Sequence, residues 1–590
     1  MASVGATSAY ATDVIAVQKV FYHQEWHFIY KWMLVMSTQL IGFSMGGIVR
    51  RFLVLPPSMI WPNTLVSCAL FNTLHSQQYA GIGHHDGMSR ERYFAYAFCA
   101  AAVWCIVPGY LFQALSVFTW VCWAAPDNIS FGAHPSAEYL LSPSYHSGLG
   151  FSILTFDWSQ IAFIGSPLAT PWWAEANVMI GFFCFYWILT PALYPVPPVC
   201  ALDLDRCSFT DRLQSISSIH AYDNTGKIYN VSRIINSEAT LDRQAYRAYS
   251  PLYLSTTFVM SYGLSFLSIT STITHAIIYF WKPIRLQFSR SIREQPDVHA
   301  RLMSHYPQVP EWYYGLLFVV TFAFSCICVQ VWPTGLPIWA LIIALLIAIF
   351  YIIPIGMIQA ITNRQVGLNV ITELIVGFML PGRPNAMMIF KTYGYITMSQ
   401  AMQFTADFKL GHYMKVPPRQ MFWCQIVATI IAGTVQLGVQ TWMFANIPNI
   451  CDRYQKDSFT CASTNVFGSA SIIWGVIGPG LLFTRNQIYY GLSFFFLIGA
   501  ACPVLLWLIT KRYPKTVLNY LNFPLIFTGV GQIPPATAVN FVPWALVGFT
   551  FQYVIRRKHF SYWTKYNYVL SAALDAGTAI GIITIYFWYG

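Results

Sequence analysis

Glu373 and Lys391 stand on either side of a Leu380-Pro381-Gly382-Arg383-Pro384 break, each close to or within an apolar run. A carboxylate and an ammonium so placed match the two ends of a zwitterion such as a peptide. A carboxylate beside a cavity can also bind and release a proton. The same two side chains could instead satisfy each other as a structural pair, and the spacing leaves both readings open. Downstream, Asp407, Lys409, His412 and the run Lys415-Val416-Pro417-Pro418-Arg419 form a dense polar block. It reads as an ordinary basic loop or as the end of a substrate path that gates or shapes release, with Asp407 a further proton-site candidate. Phe422 and Gln425, three apart, share one face of the following helix and could give a cavity an aromatic and a hydrogen-bonding wall. Asp13, in the small-residue stretch Ser8–Gln18, is either a second proton site or a helix cap.

Other polar groups carry less. Asp157, Glu175 and Asp575 read as helix-end or interhelical contacts ahead of proton carriers, and His75 and His275 as interfacial histidines that close apolar runs. Gly42-Phe43-Ser44-Met45-Gly46 fits a nucleophile elbow, but that motif needs a strand–turn–helix context. Inside an apolar run its two glycines read better as a helix-packing face. His84-His85-Asp86 lies in a polar stretch with no second ligand cluster, so no metal or cofactor is expected. A membrane-embedded hydrolase would need a base for Ser44, and none is near in sequence; the chain is not read as an enzyme. No Walker A sequence occurs, which argues against an ATP-driven pump carried on this chain.

The elements that must position these residues follow from composition. The 590 residues are 56% hydrophobic and 9% charged, with mean hydropathy +0.50, whereas a soluble domain is about 25% charged. The expected fold is an all-α, polytopic integral membrane protein. Ten clear apolar spans lie near 28–48, 93–123, 172–195, 252–281, 311–331, 335–356, 420–446, 488–510, 536–555 and 568–590. With shorter segments at 1–22, 56–75, 150–166, 367–381, 386–406, 468–484 and 516–534, about twelve to fifteen crossings are expected, several broken or re-entrant. Gly475–Gly480 and Gly529–Pro535 interrupt apolar segments as Leu380–Pro384 does. Broken backbone at membrane depth survives where it is buried in protein or lines a cavity, as at transporter substrate sites.

The net charge of +11 belongs to cytoplasmic loops rather than to nucleic-acid binding. Arg50-Arg51, the basic loop 282–301 and Arg364 mark that side, and Lys409–Arg419, Lys511-Arg512 and Arg556–Lys558 share it if 56–75 and 468–484 dip in without crossing. Loops 124–149, 196–250 and 447–467 then lie outside. They hold the sequons at Asn128 and Asn230, and also Cys451 and Cys461, ten residues apart and able to pair on an oxidising side. No charged stretch followed by an apolar one opens the chain, so no cleavable signal is expected.

Lys415-Val416-Pro417-Pro418-Arg419 resembles the signature of the oligopeptide transporter family, in its peptide-transporter branch. The surrounding block is similar too: Glu373–Phe378, Leu380–Pro384, Phe390-Lys391, Gly394-Tyr395 and Asp407–Tyr413. Further likeness lies in Ser8–Gln18, Ser58–Pro62, Phe71–His75, Phe459–Cys461 and Lys565–Gly577, so it covers essentially the whole chain. The resemblance implies one membrane domain over 1–590 and proton-coupled symport of peptides of about three to five residues, or of glutathione. It also implies a fungal-type transporter in the plasma membrane, with peptide, protons and the lipid bilayer as partners. A related branch, the yellow-stripe-like proteins, carries metal chelates or siderophores and is the alternative. Relative to the family the chain is expected to lack N-terminal spans and a C-terminal tail, which leaves an inactive, truncated paralogue as a third reading.

Overall fold

The structure, a computed structural model, describes residues 11–75, 88–116, 118–119, 153–193, 216–218, 220–236, 240–281, 298–452, 455, 461–533 and 536–589. The chain runs through α1 (Ala11–Val20), α2 (Phe28–Leu53), α3 (Pro62–His75), α4 (Arg90–Ile106), α5 (Trp172–Gly181) and α6 (Thr256–His275). It continues through α7 (Glu311–Val331), α8 (Ile338–Thr362), α9 (Asn369–Met379), α10 (Pro384–Lys391), α11 (Thr397–Met414) and α12 (Pro418–Asn446). The last elements are α13 (Ala462–Ala470), α14 (Phe495–Arg512), α15 (Phe523–Phe527), α16 (Ala538–Gly548) and α17 (Phe560–Tyr589). Strands are confined, among the described residues, to two short ladders. β1 (Phe118–Thr119) pairs with β2 (Ile153–Leu154), and β3 (Ala221–Tyr222) with β4 (Tyr253–Leu254), both antiparallel.

Ten helices among the described residues are long and apolar enough to cross a membrane. They coincide with the ten clear apolar spans of the sequence. Four of them, α4, α5, α6 and α16, continue into π-helical extensions. Helices suit this solvent because every backbone polar group is bonded within the segment. Large apolar side chains point outward along them: Trp312, Leu316 and Val319 on α7, Leu497 and Leu505 on α14, Ile583 and Phe587 on α17. In water such a surface would be a liability; against acyl chains it is the matching face.

Close helix approaches are built on small residues. A Cβ on Gly42 would come 2.8 Å from Gln400 Cβ, and one on Gly46 the same distance from the Ala401 carbonyl, so this pair seats α2 on α11. The broken segments are interior. All eight residues of α10 are buried, and it returns antiparallel to α9 through Pro381 and Gly382, the latter at φ 79°. After α13 a π stretch, Ser471–Ile477, ends at Gly478 (φ 82°) and Pro479. The two breaks cross each other: a Cβ on Gly475 would lie 2.7 Å from Pro384 Cα, and one on Gly377 2.8 Å from the Trp474 carbonyl. A third break, Thr528–Val530 after α15, packs its Gly529 on the backbone of α5.

Two features depart from, or sharpen, the sequence reading. Arg364 is not a solvated loop cation; it is only 6% exposed, in the connector 363–368 between α8 and α9. The signature run is a tight helix–helix turn. Lys415 caps α11 in the left-handed region (φ 61°), and its own N–H returns to the Gly411 carbonyl. Pro418 then opens α12 at a position where its missing N–H costs nothing.

Candidate functional site

Glu373 and Lys391 each lie nine residues from Gly382, so the α9–α10 hairpin brings them face to face. Lys391 Nζ donates to Glu373 Oε1 at 2.7 Å, and both side chains are almost wholly buried. Lys391 Nζ also sits 4.5 Å from the centre of the Phe467 ring of α13, while Asp13 of α1 lies within Coulomb reach of it. The α1 backbone beside Asp13 is fixed from α12, where Gln440 Nε2 donates to the Thr12 carbonyl at 2.8 Å. Gln440 is six residues before the end of α12, about 9 Å along the axis, so this part of α1 sits below the helix ends. Asp13 is partly exposed and stands in the first turn of α1.

Aromatic groups complete the surroundings. Tyr262 of α6 lies within Coulomb reach of Glu373, and its ring meets Trp474 edge-on at 5.1 Å. The Tyr262 hydroxyl and the Trp474 indole N–H are both buried and close no hydrogen bond of normal geometry. Buried polar groups are nearly always bonded, and these two face each other, so the Trp474 indole N–H is the partner within reach of the Tyr262 hydroxyl. Sequence reasoning passed over Tyr262, Phe467 and Trp474. The signal was Trp474's place beside the Gly475–Gly480 break, which had itself been singled out.

The remaining candidates gather elsewhere. Phe422 packs among Phe43, Tyr313 and Tyr314 at centroid distances of 5.5, 5.9 and 5.1 Å. Gln425 Nε2 donates to Asp407 Oδ2 at 3.3 Å. These three residues therefore form an aromatic and polar cluster between α2, α7, α11 and α12, distinct from the wall of the Glu373–Lys391 pair. Lys409 is buried and donates to the Val54 carbonyl at 2.7 Å, tying α11 to the turn after α2. Lys415 Nζ donates to the Tyr413 carbonyl at 2.9 Å and bonds His299 Nδ1, whose ring lies 6.1 Å from that of His412. Arg50 Nη2 donates to the Val309 carbonyl at 2.6 Å. Arg50, the 298–310 segment and the signature turn thus share one end of the molecule.

Cys451 and Cys461 are joined in a disulfide. Asn230 is exposed, and its Oδ1 accepts from the Ser232 N–H at 3.1 Å; Asn128 and His84–Asp86 lie outside the described residues. Asp157 caps a short helix through the Ser159 N–H, and Asp575 accepts from Trp158 Nε1 at 2.6 Å. Those two match the helix-end and interhelical reading. Glu175, grouped with them on sequence, has neither kind of partner.

The site is a buried acid–base pair at crossed helix breaks, and comparison with known proteins decides the family. Residues 1–589 match the family model described as OPT oligopeptide transporter protein. The chain belongs to the oligopeptide transporter family. This transporter is 44% identical to the sexual differentiation process protein isp4 of Schizosaccharomyces pombe, over all of its own length and 72% of that protein's. It is 42% identical to glutathione transporter 1 of the same yeast, over 99% of its length and 68% of the relative's. With oligopeptide transporter 1 of Arabidopsis thaliana the identity is 43%, over 99% and 77%. The transporter is thus a polytopic membrane protein of a family that moves solutes and performs no chemistry on them.

Proposed function

We propose that this transporter imports short peptides or glutathione across the plasma membrane together with protons. The observation that carries the reading is the Glu373–Lys391 pair, buried at the crossing of two broken helices. Each member has the charge opposite to one end of a zwitterion. A substrate amine can take over Glu373 and its carboxylate Lys391, so the bond between them is exchanged for two new ones and no charge is left uncompensated. Asp13 and Asp407 are the accompanying proton-site candidates, the first near Lys391 and the second toward the end of the molecule that holds the signature turn. The signature turn, braced by Lys409 and by Lys415 on His299, holds the cytoplasmic end. The basic residues grouped at that end, and the disulfide and the sequon at Asn230 placed outside by the walk along the chain, support the orientation. The chain acts as one membrane domain.

The test is uptake of a labelled tetrapeptide and of labelled glutathione in yeast lacking its own transporters, at acid and neutral external pH, with a protonophore control. Acid-stimulated, protonophore-sensitive uptake that Glu373→Gln abolishes at normal surface levels is the expected result. Wild-type uptake by Glu373→Gln removes that residue from the site. Metal-chelate uptake without peptide uptake moves the substrate class to the yellow-stripe-like branch.

A further inference from the structure

A second buried carboxylate sits outside the site just described. Glu175 is on α5, with no exposed surface, and neither carboxyl oxygen has a hydrogen-bond partner. It presses on the α16 backbone so closely that a Cβ at Gly548 would overlap it. Arg364 is within Coulomb reach but forms no ion pair with it; the ion pairs among the described residues are Lys19–Glu25 and Lys391–Glu373. The guanidinium is held elsewhere. Nη1 donates to the Ile164 carbonyl, the group lies 5.4 Å from the centre of the Trp544 ring, and Nε is buried without a partner.

An ionised carboxylate with no donor on either oxygen is among the costliest groups to bury. A carboxylic acid is far cheaper, and a guanidinium within Coulomb reach can compensate the charge once the proton leaves. We propose that Glu175 is a proton-binding residue of the transport cycle and that Arg364 is the cation that closes on it when the proton departs. The site then goes from a neutral acid beside a guanidinium to a carboxylate–guanidinium pair, with one proton released to water. This inference rests on the proton-coupled reading above.

The surroundings suit such a site. Arg364 is the charged group within reach; α15 packs its Ile526 carbonyl edge on Gly181, and the Thr528–Val530 turn packs Gly529 beside it. The π extension of α16 brings Tyr553 against Trp172, one turn before Glu175. The connector also links the two ionic sites. Asn363 Nδ2 donates to Thr170 Oγ1 at 3.2 Å, just ahead of α5, while the other end of the connector opens α9, which carries Glu373. A swing of Arg364 therefore pulls on the helix that holds the substrate-site carboxylate.

The experiment uses the full chain in membrane vesicles with two readouts: accumulation of labelled peptide driven by an inward proton gradient, and peptide counterflow without a gradient. Glu175→Gln is expected to lose accumulation yet keep counterflow, and Glu175→Asp to accumulate with a displaced pH profile. Accumulation by Glu175→Gln with the wild-type pH profile overturns the proposal. So does loss of counterflow at normal surface levels, which marks a merely structural role. A wild type that exchanges peptide but ignores the gradient takes down the coupling reading and this site with it. A second measurement needs no variant. Dicyclohexylcarbodiimide adds across its N=C bond to a protonated carboxyl, whose proton moves to nitrogen, and mass spectrometry locates the adduct. Labelling at Glu175 with Glu373 spared is expected; labelling at Glu373 with Glu175 spared overturns the assignment.

Discussion

Glu373 and Glu175 are both buried in the membrane part of this transporter, and each has one cation in reach, yet their environments are opposite. Glu373 is closed on Lys391 at 2.7 Å, whereas Glu175 has two bare oxygens and an Arg364 engaged elsewhere. The reason is the way each cation is tethered. Lys391 faces Glu373 across one hairpin, on a flexible stem with three rotatable donors. Arg364 is on a connector, with its planar head already placed against a carbonyl and an indole ring. In the proposed function, a closed pair is a lock that a zwitterionic substrate opens by substitution. An open pair is a place to keep a proton.

The largest effect that probes this difference comes from opening the lock from one side. Lys391→Met leaves Glu373 buried without a cation, and the expected loss is about 3–5 kcal/mol of stability. It should appear as a fall in melting temperature and folded yield in detergent. Glu373→Gln combined with Lys391→Met should recover most of that stability while uptake stays absent. A Lys391→Met protein that melts with the wild type would show that the pair does not lock the hairpin.

At the open pair the corresponding test is steric. Gly548→Ala puts a methyl group into the space of the Glu175 carboxyl, and overpacking of this kind costs about 1–3 kcal/mol. Glu175→Ala in the same chain should relieve it. Two such substitutions in contact are expected to be strongly non-additive, with the double variant more stable than Gly548→Ala alone. Additive losses in thermal melts would mean that Glu175 does not occupy the place beside Gly548.

How much of this was legible beforehand differs between the two sites for physical reasons. Ten spans were readable because twenty apolar residues in a row have few other uses, and the Pro-Gly breaks announced the hairpin that joins Glu373 to Lys391. Local sequence carries a hairpin. It does not carry a contact between α5 and a connector nearly two hundred residues later, so Glu175 looked like Asp157 and Asp575. Arg364 looked like a loop cation for the same reason. Phe422 and Gln425 share a helix face as expected, but helix periodicity does not say which neighbour that face meets, and it meets Phe43, Tyr314 and Asp407.

A smaller effect tests whether the rest of the polar block behaves as a brace. Lys415 adopts a left-handed conformation that costs a non-glycine residue about 1–2 kcal/mol. Its Nζ bonds to the Tyr413 and His412 carbonyls offset part of this. Lys415→Gly removes the strain and the bonds together, so it should melt within about 1 kcal/mol of the wild type. Lys415→Val keeps the strain, adds β-branching and loses the bonds, and should melt clearly lower. Equal melting of the two variants would show that backbone conformation at this turn is unimportant.

The smallest expected effect concerns a third carboxylate, Asp223, which marks the far end of the comparison because it has donors in plenty. Burial works to raise it. Hydrogen bonds from Thr225 Oγ1 (2.6 Å), Thr225 N (2.8 Å), Lys227 N (3.0 Å) and Tyr249 (3.1 Å) outweigh that and hold it below its ordinary 3.8. A carboxylate whose folded value is depressed contributes stability that is fully present above the unfolded value and is lost as pH falls through the folded one. The stretches 221–236 and 240–254 should therefore keep their fold throughout the mildly acid range in which uptake is expected, and loosen only below about pH 4. Protease protection of this loop on intact cells, followed from neutral to strongly acid pH, checks the point, and Asp223→Asn should flatten the profile. Loosening of the wild-type loop already in the mildly acid range would contradict it. Acid stimulation of uptake could then arise in this loop, and its assignment to Glu175 would have to be separated from it.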